Sequence, residues 1–100
     1  MGSREFNDRE MIEAHIQRIV RNVGDQYAFS VQPAKQRWHG IVRDVSSQLK
    51  HLQHSGILTG FLVRCDEETN DGATNGDVVE VVYTTPRRVE TVMLCVSVSE

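Results

Sequence analysis

Apolar residues recur at three- and four-residue spacing in the first half of the chain and alternate with polar ones in the second. The first series is Ile12, Ile16, Ile19, Val20 and Val23, one apolar face of a helix. Asn7 is placed as its N-cap and Glu10 stands at the third helical position, as in a capping box. Phe6 and Met11 have the spacing of a hydrophobic staple. Gly24 is the expected C′ glycine, so the pattern predicts a helix over about 8–23. It is rich in β-branched residues and must be held by packing rather than propensity. In the connection from Asp25 to Gln32, Tyr27, Phe29 and Val31 alternate with Ala28, Ser30 and Gln32, as in a short strand or an extended segment over the core.

Pro33 suits the first position of a second helix, where its missing N–H costs nothing. Ala34, Trp38, Ile41, Val42, Val45, Leu49 and Leu52 form its apolar stripe. From Pro33 to Ser55 it would span about 34 Å at 1.5 Å per residue. Gly40 marks close approach of another backbone, and Gly56 stops the helix in a Schellman-type end with Ile57 and Leu58 folding back.

Three strands are expected next: 61–66, 77–85 and 89–99. In the second, Val79, Val81 and Tyr83 share one face; in the third, Val92, Leu94, Val96 and Val98 alternate with Thr91, Met93, Cys95 and Ser97. Asn70-Asp71-Gly72 and Asn75-Gly76 are turn signals between the first two, and Pro86 separates the last two. Helices followed by strands predict an α+β fold in one domain over 1–100, two helices on one face of a small antiparallel or mixed sheet with an edge open to strand addition.

A chain of 100 residues buries roughly 60–65% of its unfolded surface, leaving little room for a deep catalytic pocket. No apolar run approaches a membrane span, and the N-terminus lacks a signal-peptide core. Met1 to Phe6 carries no functional weight, since a flexible arm or vector sequence would read the same way. The net charge of −3 divides into +2 over residues 1–60 and −5 over 61–100. That balance argues against nucleic-acid binding and is compatible with head-to-tail contact between copies. Cys65 and Cys95 make no C-x-x-C pair and read as small apolar strand residues in a reduced compartment.

Candidate chemistry is sparse. His51 and His54 have an i, i+3 spacing, with His39 earlier on the same helix, but the sequence nominates no third metal ligand. Asp66, Glu67, Glu68 and Asp71 miss the order of a calcium loop and read as a solvated turn or an acidic surface for a partner's arginines. Ser46 and Ser47 have no nucleophile-elbow glycines. The expectation is a protein without enzymatic activity, cofactor or metal. Trp38 reads as an anchor of the core or of an interface.

Taken together, Trp38, the helix end Leu49…Leu52…Ser55-Gly56-Ile57-Leu58-x-Gly60, the run Phe61-x-Val63-Arg64-Cys65-Asp66, and Glu68-Thr69-Asn70 resemble the C-terminal domain of contractile phage tail sheath proteins. So do Gly76-Asp77-Val78-Val79-Glu80-Val81, Pro86 and the final hydrophobic strand. The likeness spans roughly residues 7–98. The chain departs from the family before its last strand, where Thr85 to Val92 contains one proline and no phenylalanine. Full sheath proteins also carry outer domains that this chain does not.

The resemblance implies a stand-alone, sheath-initiator-like or sheath-like ring protein in a phage tail, assembled in the host cytoplasm. It implies self-association, six-fold rings, and contacts with tail sheath, tail tube and baseplate proteins, but not with nucleic acid or membrane. Strand addition would use Val89, Thr91, Val92, Met93, Leu94, Cys95, Val96, Ser97 and Val98. Trp38, Gly56, Leu58, Gly60, Phe61, Asp66, Asn70 and Gly76 would be structural anchors. The alternatives are a small non-phage adaptor binding one partner through its helix face or sheet edge, and a metal-dependent regulator or enzyme built on His51 and His54.

Overall fold

The computed structural model describes residues 2–28, 33–72 and 76–96, with the side chains of the first helix described from Arg9 onward. Two helices, α1 (Gly2–Tyr27) and α2 (Ala34–His54), precede three strands, β1 (Gly60–Arg64), β2 (Asp77–Thr84) and β3 (Val89–Val96). The strands form an antiparallel sheet in the order β1-β2-β3, so β2 is central. This is the α+β class with both helices on one face. The stretches 29–32, with Phe29 and Val31, and 97–100, with Ser97 and Val98, lie outside the described residues.

The predicted helix faces hold. Ile16, Val20 and Val23 of α1 and Ile41, Val45 and Leu49 of α2 are buried, while Ile12, Ile19, Trp38, Val42 and Leu52 pack at the margin. Ala34 is exposed and leaves the stripe. The inward rows of the sheet are Phe61–Tyr83–Glu90, Val63–Val81–Val92, Val79–Leu94 and Asp77–Val96. Their apolar members close the core against the helices. The outward rows are Leu62–Val82–Thr91, Arg64–Glu80–Met93 and Val78–Cys95, and they face away from both helices.

Several expected boundaries move. Helix α1 does not start after Asn7 or stop at Gly24; it runs from Gly2 through Gly24 to Tyr27. Gly24 is buried against β3, where an added Cβ would collide with Val96. This glycine therefore serves a helix–strand crossing rather than a helix end. Tyr27 is consequently helical and not part of an extended segment. It, and not another backbone, is what comes close to Gly40: a Cβ there would lie 2.7 Å from Tyr27 Cζ. Strand β1 stops at Arg64, so Cys65 is buried just beyond the strand instead of within it.

The end of α2 is as expected. Gly56 has φ 84°, the left-handed conformation that favours glycine. The Ile57 N–H donates to the Leu52 carbonyl at 3.1 Å and the Gly56 N–H to the Gln53 carbonyl at 3.1 Å, the bond pair of a Schellman motif. Leu58 is driven into the core directly after it.

A candidate strand-addition edge

β3 is an edge strand: among the described residues it pairs with β2 on one side and with nothing on the other. Hydrogen-bond parity fixes which of its groups are unused. The Thr85 N–H donates to the Arg88 carbonyl at 2.9 Å, which makes Thr85–Arg88 a bonded pair. Antiparallel pairs alternate between bonded and non-bonded. The register then turns the backbone groups of Glu90, Val92 and Leu94 toward β2, and those of Thr91, Met93 and Cys95 outward. The same three residues have exposed side chains.

The usual defences of an edge are sparse on β3. It carries one charge, Glu90, and neither proline nor glycine. The opposite edge, β1, is five residues long against eight for β3 and ends on Arg64.

Helix α1 steadies β3 at both ends. At one end Val96 packs on Gly24. At the other, Arg9 Nη2 lies 3.6 Å from Glu90, and Arg88 lies 3.5 Å from the same carboxylate. Between these arginines and the core, the Tyr83 hydroxyl donates to Glu13 at 3.3 Å. Burial, reinforced by the Glu13 and Glu90 carboxylates, pushes the Tyr83 phenol up to about 12. A strand held in this way loses little freedom when another strand joins it.

The anchors predicted from sequence are mostly found supporting the sheet rather than forming a pocket. Asp66 and Asn70 organise the turn after β1. The Asp66 carboxylate accepts the Thr69 N–H at 2.9 Å; Thr69, then Arg64, hold that carboxyl below its ordinary range. Asn70 Oδ1 accepts the Val78 N–H at 2.7 Å, and Thr69 Oγ1 donates to the Val78 carbonyl at 2.9 Å. By the parity above, Val78 faces the β1 side. The two side chains therefore continue the β1 ladder after the strand has ended. Gly76, with φ 155°, leads directly into β2. A Cβ at Gly60 would lie 3.1 Å from Thr84 Oγ1, and Phe61 is half-buried at the sheet margin.

Trp38 is half-buried on α2, and among the described residues its buried Nε1 has no partner with full hydrogen-bond geometry. It still approaches Asp77 closely enough to help keep that carboxylate charged. Sequence reasoning missed the stronger feature beside it. Arg37 Nε donates to Asp77 Oδ2 at 2.6 Å and Nη2 to Oδ1 at 2.9 Å, a nearly buried bidentate pair. The available signal was parity: Asp77 continues the inward series Val79, Val81, Tyr83 and so needed a cation beneath it.

The acidic turn meets cations of its own chain. Arg64 reaches Asp66 at 3.2 Å and Glu68 at 3.0 Å, and Lys35 reaches Glu67 at 3.0 Å. His51 and His54 lie exposed in the last turn of α2, and His39 is exposed near its start. Among the described residues, no three His, Cys, Asp or Glu side chains gather as a metal-binding group. No helix in the described residues is long and apolar enough to cross a membrane. Compared with known proteins, the chain matches no family model, no curated protein and no solved structure.

Proposed function

We propose that this protein is a structural subunit of a contractile phage tail or related injection machine. In this reading it is a sheath-initiator-like or sheath-like ring protein that accepts a strand from a neighbouring subunit at β3, beside the tail tube and baseplate. The observation that carries the proposal is the edge itself. β3 is an eight-residue, nearly uncharged strand with one side unpaired among the described residues and with α1 holding both ends. Backbone pairing is indifferent to side-chain identity, so subunits joined this way can stay linked while their other contacts change. The sequence likeness to the sheath C-terminal domain supports the same role, as does the support that the Asp66–Asn70 turn gives the sheet.

A proline scan tests it. Thr91→Pro and Met93→Pro remove amides that face outward, whereas Val92→Pro removes one bonded to β2. The first two should fold, by circular dichroism and urea denaturation, yet lose ring formation in electron microscopy and fail to recruit the sheath protein. Val92→Pro should unfold. If Met93→Pro builds rings and recruits sheath like the wild type, β3 is not the joining edge. A chain that stays monomeric beside tail components and binds one defined soluble protein would point to an adaptor instead.

A further inference from the structure

The β1 edge of the sheet carries a second set of unused backbone groups. The Thr59 N–H donates to the Thr84 carbonyl at 2.8 Å, so Thr84 faces the β1 side, as alternation from the Thr85–Arg88 pair requires. Gly60, Leu62 and Arg64 then turn their backbone groups toward Thr84, Val82 and Glu80. The N–H and C=O groups of Phe61 and Val63 point away from the sheet, and among the described residues no hydrogen bond reaches them.

Beside these groups lies a cleft of about 460 Å3 between α2 and the end of β1. Trp38 and Val42, one turn apart on α2, form one wall, and Val63 and Cys65 form the other. The ionic side chains of the rim are matched to one another: Lys35 reaches Glu67 at 3.0 Å, and Arg64 reaches Asp66 at 3.2 Å. His39 completes the rim. The cleft therefore offers apolar surface next to a free backbone row rather than an unpaired charge.

That combination suits an extended chain, whose backbone pairs with the edge while alternate side chains reach the pocket. In antiparallel pairing, the residue opposite Val63 exchanges both backbone bonds with it and shares its face. Val63 faces the helices, so the side chain opposite it enters the cleft. We propose that the β1 edge binds a short extended segment of a partner protein, uncharged where it crosses the cleft. The segment pairs antiparallel with Phe61 and Val63 and sets an apolar side chain against Trp38 and Val42. The inference does not rest on strand addition at β3 and would stand if that reading failed.

The test uses the full chain and a short capped peptide of alternating threonine and leucine. One control peptide carries N-methylated leucines, and another replaces leucine by serine. Trp38 is the only tryptophan, so its emission reports filling of the cleft. The leucine peptide should shift that emission saturably. Hydrogen exchange at the Phe61 and Val63 amides, unpaired in the free protein, should slow about tenfold or more at saturation. N-methylation should weaken binding about tenfold, since it removes the pairing donors. The serine peptide should bind several-fold more weakly, as should Val42→Thr, a nearly isosteric change whose fold circular dichroism checks. Met93→Pro should bind the leucine peptide as the wild type does.

Absence of binding, or equal binding of the N-methylated or serine peptide, overturns the proposal. So does slowed exchange at Thr91, Met93 and Cys95 in place of Phe61 and Val63, which would put the peptide at β3.

Discussion

At the scale of single residues, Asp77 is the position with most at stake. It is 4% exposed, and its carboxylate is bound in bidentate fashion by Arg37. Burial alone would raise its pKa. The Arg37 hydrogen bonds, the nearness of Trp38 and the Arg37 charge together outweigh burial, and the carboxyl titrates below its ordinary 3.8. Removing one member of such a pair leaves the other charge stranded, so Asp77→Ala should lose about 3 kcal/mol in urea denaturation at neutral pH. The pH dependence follows from the depressed native value. The stabilisation is fully present above the unfolded-state pKa near 3.9 and is lost as pH falls through the lower native one. Below pH ~4 the wild-type urea midpoint should therefore drop more steeply than that of Asp77→Asn, which has no proton to take up. Parallel curves for the two proteins would show that the native pKa of Asp77 is not depressed.

At the scale of elements, the crossing of α1 over β3 is decided by Gly24. Alanine in a helix interior is ordinarily favoured over glycine by about 1 kcal/mol. Here the added methyl would occupy the space of the Val96 side chain. Gly24→Ala should thus destabilise by about 1–3 kcal/mol, the usual cost of overpacking. Combining it with Val96→Ala should recover part of that loss, a coupling visible in a double-mutant cycle of urea denaturation. Additive losses would mean that the two positions do not meet.

The same crossing explains what was and was not legible in the sequence. The α2 stripe of Ile41, Val45 and Leu49 and the β2 series of Val79, Val81 and Tyr83 depend on local periodicity, and each occupies the predicted face. The end of α1 depends on Val96, far away in the chain, so Gly24 gave a stop signal that packing overrules. Strand β3 could be read as a strand from its alternation. Its place at the edge could not, because strand order is a property of pairing, not of pattern. The Tyr27 hydroxyl donating to Asp44 at 2.7 Å is likewise invisible to a reading that ended the helix at Val23.

At the scale of the whole molecule, the two cysteines report on different events. Cys65 is buried behind the end of β1; burial, only partly offset by the Asn70 amide, pushes its thiol up to about 11. Relative to the ordinary 9.0, two pKa units mean about a hundredfold less thiolate at a given pH, before burial blocks the reagent. Cys95 is exposed near the far end of β3, on the strand whose outward amides are unpaired among the described residues. Iodoacetamide should therefore alkylate Cys95 readily in the free protein and spare Cys65 until urea unfolds the chain, as read by peptide mass spectrometry. The Cys65 rate then measures opening of the core and the Cys95 rate measures access to the edge strand. When subunits assemble through β3, the side chains of the added strand flank Cys95, and its alkylation should slow while Cys65 stays protected. A Cys95 rate identical in the free chain and in the assembled ring would place the subunit joint somewhere other than β3, even if the rings themselves form.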